Sequence, residues 1–166
     1  IIYDLRNKAL LSDSIKDTIN EFIEDFIFDI IGDLDFKRVK EWDWQSINQQ
    51  INSNLMVNIE VGEIKSLESL DKLIDYINEE ALKYYKLKED VIPSELLRKV
   101  EKFIVLKTID EKWRNHLLGM DQLREGIGLR AYGQKNPLIE YKSESYNFFQ
   151  ELMVSLRATV IQRVFH

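Results

Sequence analysis

The chain has 166 residues, no cysteine and a formal net charge of −6. The lack of cysteine excludes disulfides, thiolate metal sites and cysteine nucleophiles. The acidic balance argues against wholesale nucleic-acid binding, which requires a basic footprint. No apolar run approaches the roughly 20 residues needed to cross a bilayer, and the first residues lack the basic and apolar regions of a signal peptide. We therefore expect a water-soluble protein that does not bind nucleic acid.

Glycine and proline are scarce, with six and two residues, which predicts long helices. Residues 1–11 form the first predicted helix, without a cap residue before it, as though a longer helix precedes it. The second predicted helix ends at Gly32 and Asp33. Its apolar residues follow the three- and four-residue spacing of one face, with acids on the other: Ile15, Ile19, Phe22, Ile23, Phe26, Ile27, Ile30, Ile31 and Leu34.

The stretch from Phe36 to Ile64 is the least regular. Trp42 and Trp44 lie two residues apart, which favours a turn or extended segment. Such a pair usually fills a small core, and a peptide-binding surface is the alternative. Ser46 is the predicted cap of a short helix through Leu55. Residues 56–61 alternate like a strand, but no partner strand is evident, so we expect an extended segment.

A further helix is predicted after Ser66, its expected cap, and should end near Ile92, because a residue before proline avoids helical angles. Its apolar face is Leu70, Leu73, Ile74, Ile77, Ala81 and Tyr84.

The strongest pattern begins after Pro93, with Ser94 as the expected cap. Some thirty residues without a breaker predict a helix of about 45 Å. A second helix follows after a loop of about a dozen residues, so the two should form an antiparallel hairpin. The first helix carries Leu96, Val100, Phe103, Leu106, Ile109, Trp113, Leu117, Met120, Leu123 and Ile127 on its apolar face, and the second carries Tyr141, Phe148, Phe149, Leu152, Leu156, Val160 and Val164.

The predicted loop contains three glycines and a proline, which suit tight turns. It also carries Leu129, Arg130, Tyr132 and Lys135, side chains typical of surfaces that grip a partner. Between residues 127 and 139 there are two bases and no acid. The alternative is that Leu129 and Tyr132 fold back to cap the hairpin.

The sequence offers little catalytic chemistry. Residues 126–131 match the dinucleotide fingerprint G-x-G-x-x-A, but they follow a predicted helix rather than a strand, so we reject that interpretation. No phosphate-binding loop is present, and His116 has no second histidine or carboxylate at ligand spacing. We expect this chain by itself not to be an enzyme.

Four motifs between residues 108 and 142 identify a family: T-x-D-x-x-W, H-L-x-x-M-D-x-L-R, G-I-x-L-R-x-Y-x-Q-K and E-Y-K. Together they closely resemble the SecA family of preprotein-translocation ATPases. Weaker similarity around Tyr3, Arg6 and Thr18 extends the resemblance over essentially the whole chain. This sequence departs from the family's common pattern in Gly128, in the order of Ala131 and Gly133 around the tyrosine, and in Asn136, where aspartate is usual.

The resemblance implies an all-α fold: a small helical wing domain plus a long antiparallel helical hairpin. Residues 1–11 would end a scaffold helix, 12–93 form the wing, and 94–166 form the scaffold hairpin, or two-helix finger, with its tip at about 127–138. In the family this tip lies at the cytoplasmic mouth of the SecY channel. The expected channel and preprotein contacts are therefore Leu129, Arg130, Tyr132, Gln134 and Lys135, with Tyr132 as the fingertip aromatic.

Further expectations follow from the same resemblance. The chain would couple ATP hydrolysis elsewhere in its parent protein to preprotein movement and would restrain that ATPase. It would hold no cofactor or metal itself, since ATP and Mg belong to the parent's motor domains. Its partners would be the SecY channel complex, the preprotein, those motor domains, acidic phospholipid and, through bare scaffold faces, a second copy. The protein would be cytoplasmic and peripheral to the bacterial inner membrane. Two alternatives are a stand-alone helical adaptor and a nucleotide-dependent enzyme.

Overall fold

The computed structural model describes residues 1–11, 15–32, 34, 42–60, 69–130, 133 and 136–166, and only the backbone of Arg130. All regular structure in these residues is helical, so the predicted all-α fold is confirmed. The helices within these residues are α1 (Ile2–Leu11), α2 (Lys16–Ile31), α3 (Trp44–Leu55), α4 (Leu70–Val91), α5 (Ser94–Arg130) and α6 (Pro137–Phe165).

One hydrophobic core lies around the C-terminal half of α6. Helices α2 and α3 pack against α6, and all three contribute fully buried aliphatic side chains. Each such side chain stabilises the fold by roughly 1.5–3 kcal/mol. The α6 members are Leu152, Leu156, Val160, Ile161, Val164 and Phe165. The predicted apolar face of α2 is confirmed, since seven of its nine residues are buried and the other two, Ile30 and Leu34, pack against the core partly buried.

Helices α5 and α6 form the predicted hairpin, and its two ends differ in burial. The base lies in the core, whereas among the described residues from 110 to 151 only Leu123 and Ile127 are buried. Within this projecting part the helices approach closely at Gly119, where an added Cβ would lie 3.3 Å from the Phe148 ring. The hairpin is therefore anchored at one end and free at the other.

The buried face of α5 differs from the predicted one in its first four turns. Leu96, Val100 and Phe103 are exposed, and so is Leu117 further along. The prediction is confirmed at Ile109, Leu123 and Ile127. The buried set near the base is Leu97, Glu101, Val105, Thr108 and Ile109. Periodicity alone selects the more apolar face, whereas the actual face includes a glutamate and a threonine that other helices supply with partners.

Two predicted caps are replaced by neighbouring residues. Helix α3 is capped by Asp43, whose carboxylate accepts a hydrogen bond from the Ser46 amide at 3.1 Å, so Ser46 is inside the helix. Helix α4 is capped by Ser69, whose hydroxyl accepts from the Lys72 amide at 3.3 Å. The predicted cap Ser66 lies outside the described residues. Several Ser and Asp residues precede each helix, and the sequence pattern does not choose among them.

Two helix ends near glycine and proline also differ in detail from expectation. The Pro93 carbonyl accepts the first helical hydrogen bond of α5, from the Leu97 amide at 3.0 Å, so Ser94 is the first helical residue rather than the cap. Gly32 ends α2 as predicted, but with a right-handed φ of −61°. The ring of Phe28 lies 2.8 Å from where a Cβ on Gly32 would stand, so close packing accounts for the glycine.

The segment from Val57 to Glu60 lies outside any helix, and the Asn48 side chain bonds its backbone where a partner strand would otherwise do so. The Asn48 amide group accepts from the Ile59 N–H at 3.0 Å and donates to the Ile59 carbonyl at 3.3 Å. Val57 and Ile59 are buried while Asn58 and Glu60 are exposed, which confirms the predicted alternation over these residues. Met56 makes the turn out of α3 with a left-handed φ of 56°.

Trp42 and Trp44 are partly buried and pack against the core. Their ring centroids lie 5.1 Å apart at an interplanar angle of 53°. The favoured reading of the pair as core residues is thereby supported over a free peptide-binding surface.

The α3 cap provides a direct test of these assignments. Asp43→Ala should lower the free energy of unfolding by about 1 kcal/mol, because it removes the only side-chain acceptor that the structure shows at the start of α3. Ser46→Ala, the matched control, should change it by less than about 0.5 kcal/mol. Urea unfolding followed by circular dichroism measures both. A larger effect for Ser46→Ala than for Asp43→Ala would contradict the assignment.

Candidate functional site

The loop at the free end of the hairpin is shorter than the sequence predicted. Helix α5 continues to Arg130, so the connection to α6 is residues 131–136 rather than about a dozen residues. Gly126 and Gly128 lie inside the helix although each costs about 1 kcal/mol relative to alanine. Burial of the Ile127 side chain favours continuing the helix. Both glycines follow more than thirty helical residues of α5, whereas a dinucleotide fingerprint requires a strand before them.

Of the five predicted contact residues, some are described by the structure and some are not. Leu129 stands on the last turn of α5 with 73% of its side chain exposed, so it does not fold back to cap the hairpin. Arg130 ends the helix, and its side chain is not described. Tyr132, Gln134 and Lys135 lie outside the described residues, and their roles remain predictions.

Two further aliphatic residues at this end were not predicted as contacts. Leu138 and Ile139, in the first turn of α6, are 60% and 63% exposed. With Leu129 they form the tip collar, three exposed aliphatic side chains that flank the loop. The sequence feature that could have identified them is their position just before Tyr141, the first residue of the predicted apolar face of α6.

Asn136 holds the start of α6 in place. Its side-chain oxygen accepts hydrogen bonds from the Leu138 amide at 3.1 Å and the Ile139 amide at 3.3 Å, and Pro137 occupies the first turn, where proline is well tolerated. The cap therefore positions two of the three collar residues.

The shaft behind the tip is stiffened by aromatic packing. Trp113 stacks on His116 at 5.2 Å, and His116 meets the edge of Phe149 on α6 at 6.4 Å. Burial lowers the pKa of His116, so its ring is neutral at pH 7. The expectation that Trp113 is a packing residue is supported, since it lies against the core.

At the opposite end, four side chains form a compact polar group that we name the corner cluster: Tyr85 and Glu89 of α4 with Arg98 and Glu101 of α5. The Tyr85 hydroxyl donates to Glu101 at 2.5 Å, and Arg98 donates to Tyr85 at 2.6 Å and to Glu101 at 2.7 Å. Arg98 also pairs with Glu89. Lys16 at the start of α2 contacts Glu89 at 3.0 Å. The cluster therefore connects three helices.

The surroundings of the corner cluster shift the pKa values of Glu101, Tyr85 and Arg98. Burial raises the pKa of the Glu101 carboxyl above its usual 4.5, and the hydrogen bond from Tyr85 and the charge of Arg98 offset this only in part. Burial, followed by the bond to Glu101, raises the pKa of the Tyr85 phenol, which stays a donor. Burial acts to lower the pKa of Arg98, but its bonds to Tyr85 and Glu101 raise it on balance.

An exposed apolar stripe runs along the first turns of α5. It consists of Leu96, Val100 and Phe103, and it leads into an open groove of about 450 Å³. The groove also has charged walls that include Asp110 and Glu111, which are paired with Arg6 and Arg163.

Within the described residues, no three His, Asp or Glu side chains are arranged to hold a metal ion. No described helix combines the length and apolarity needed to cross a membrane.

The whole chain, residues 1–166, matches the family described as the SecA Wing and Scaffold domain. The chain belongs to this SecA family. A protein translocase subunit SecA from Thermodesulfovibrio yellowstonii is 36% identical over 99% of this chain and 18% of its own length. The one from Chlorobium phaeobacteroides is 39% identical over 76% of this chain, and the one from Prochlorococcus marinus (strain AS9601) is 41% identical over 76%.

This SecA-family chain spans between about an eighth and a fifth of the length of the curated relatives it matches, from 12% to 20% in the examples with the least and most coverage. Its description as wing and scaffold agrees with the resemblance drawn from the motifs. The exact boundary at residue 93 between wing and hairpin stays a prediction.

The cap at the tip is testable by hydrogen exchange. Asn136→Ala should raise the exchange rates of the Leu138 and Ile139 amides about fivefold, because loss of a cap costs about 1 kcal/mol. Asn136→Asp, the control, retains the acceptor and should leave them near wild type. Equal exchange in the alanine variant and the wild type would show that the cap does not hold this turn.

The buried carboxylate makes a pH prediction. A pKa raised in the folded state means that the contribution of Glu101 to stability is fully present below pH 4.5 and is lost as pH rises through the raised value. The unfolding free energy of the wild type minus that of Glu101→Gln should therefore fall with rising pH across this window. Urea unfolding at a series of pH values measures it. A difference that rises with pH would contradict the raised pKa.

Proposed function

We propose that this chain is the non-catalytic coupling module of a SecA-type translocation motor. ATP hydrolysis elsewhere in the parent protein would drive preprotein through the SecY channel by way of the hairpin, and the same hairpin would restrain the ATPase of the free motor. The observation that carries this proposal is a stiff hairpin with its base in the core and an aliphatic collar at its free end.

The dimensions of the hairpin suit this role. Helix α5 has 37 residues, which corresponds to about 55 Å. Two packed helices of that length, joined by the contact between His116 and Phe149, transmit a displacement that a flexible loop would absorb. Exposed aliphatic side chains and a tyrosine can contact many sequences through apolar area alone, which fits a substrate class defined by being unfolded rather than by sequence.

The partners follow from the two exposed surfaces. The tip, with the predicted Arg130 and Lys135, suits the channel mouth, the preprotein and acidic phospholipid headgroups. This would place the parent protein in the cytoplasm, at the surface of the bacterial inner membrane. The stripe of Leu96, Val100 and Phe103 suits the motor domains of the parent chain, since apolar patches of this kind mark interaction surfaces. A second copy of the protein is the other occupant that we propose for it. We propose no cofactor for this chain itself.

Site-specific photocross-linking in the full-length parent tests the tip assignment. Probes at positions 129 and 132, on membranes with ATP and a preprotein, should give adducts to the channel subunit or the preprotein. A probe at Glu79, exposed on α4, is the control and should give neither in comparable yield. Adducts only within the parent chain would overturn the translocation proposal.

A substitution at the tip tests the role of the aromatic side chain. Tyr132→Ala in the parent should reduce preprotein transport several-fold, because it removes the aromatic side chain that the proposal makes the fingertip contact. Tyr132→Phe should retain most transport. Unchanged transport by a stably folded Tyr132→Ala protein would count against the fingertip role.

A further inference from the structure

We propose that the corner cluster is a polar latch that sets the angle between the hairpin and the α2–α4 helices. Opening of the latch would let the hairpin pivot at its base and move its tip. The consequence for transport rests on the proposed function, whereas the latch itself concerns only the geometry of this chain.

The cluster lies beside the connection between α4 and α5, about which the hairpin would pivot. Helices α4 and α5 are joined only by Ile92 and Pro93, and the cluster bridges them just beyond that corner. From Arg98 to Leu129 the helix extends about 46 Å. A rotation of about 10° at the corner would therefore displace the tip by roughly 8 Å, more than one helical turn.

The chemistry of the cluster favours one defined arrangement. The planar guanidinium of Arg98 meets acceptors on both helices, and its fixed fork satisfies them only in one geometry. Replacement of buried ionic groups by apolar side chains is often neutral or stabilising, so stability alone does not explain them. Directional specificity is the property that such a group adds, since an apolar contact would tolerate sliding.

Two further features give the latch an open state. A solvent-accessible pocket of about 440 Å³ adjoins the cluster and is lined by Lys16, Tyr85 and Glu89 among others. Water entering it can hydrate the charges when their mutual bonds break, which limits the cost of opening. Tyr84 and Tyr85 stack on Phe165 at the end of α6, at 5.8 and 6.2 Å. Such stacking is less directional than the hydrogen bonds, so it can persist as the hinge while the latch opens.

Distance measurement between spin labels tests the proposal in the full-length parent, made free of other cysteines. Labels at Glu79 on α4 and Gln122 on α5, both exposed, report the angle. Wild type should give one narrow distance distribution. Arg98→Lys, which keeps the charge and loses the fork, and Tyr85→Phe, which loses only the hydroxyl, should each broaden it or add a second population.

Arg6→Lys is the matched control. Arg6 makes a similar two-nitrogen contact with Asp110, at 2.9 and 3.4 Å, but joins α1 to α5 and does not touch α4. It should leave the distribution unchanged. A narrow, wild-type distribution in folded Arg98→Lys and Tyr85→Phe proteins would overturn the latch. If both variants lose their helical circular dichroism, the cluster is a stability element and the proposal also fails.

The outcome is separable from that of the proposed function. A broadened distribution with no channel or preprotein adducts from position 129 or 132 would retain the latch and reject the translocation role. Channel or preprotein adducts from the tip, together with unaltered label distances in the latch variants, would support the translocation role and reject the latch. If both proposals hold, Tyr85→Phe should also reduce transport, whereas Arg6→Lys should not.

Discussion

The structure depends on the C-terminal half of α6 being surrounded on several sides by other helices. Its buried residues from Leu152 to Phe165 contact α2, α3 and α5, and Phe165 also stacks on the tyrosines of α4. Because this one segment forms the centre of the core, no helix around it has a separate hydrophobic interior. The base of the hairpin is thus part of the same core as the α2–α4 helices, and the other half of the hairpin is left to project.

The polar contacts around this core are placed where helices must be aligned. Arg157 on α6 pairs with Asp29 on α2 at 2.8 and 3.0 Å, and Arg163 reaches Thr108 on α5 at 2.9 Å. The Lys88 ammonium donates to the Val164 carbonyl at 2.7 Å, at the end of α6 where cations are favoured. Arginine dominates these contacts because its fork fixes orientation as well as charge. The corner cluster adds two buried side chains, Tyr85 and Glu101, to such an arginine.

The two hairpin helices show where apolar periodicity predicts the buried face of a helix and where it does not. The C-terminal part of the α6 stripe is confirmed, since Leu152, Leu156, Val160 and Val164 are all buried. The predicted Tyr141, Phe148 and Phe149 are only partly buried, because they lie in the projecting part of the hairpin. In the first turns of α5 two faces compete. The exposed face carries Leu96, Val100 and Phe103, while the buried one includes Glu101 and Thr108. A glutamate can be buried only if partners are present, and one of its two partners, Tyr85, comes from α4 and is not revealed by the local pattern of α5.

By itself, the sequence determined the helical class, the hairpin, the ends of α2 and α4 and the SecA resemblance, because these depend on composition, periodicity, breakers and local motifs. The tertiary structure alone decided the buried face of α5, the caps at Asp43 and Ser69, the extension of α5 to Arg130 and the corner cluster. Local patterns left these undecided because several nearby Ser and Asp residues could cap each helix, burial of Ile127 offsets the helix cost of two glycines, and Tyr85 on α4 with Arg98 on α5 makes burial of Glu101 tolerable.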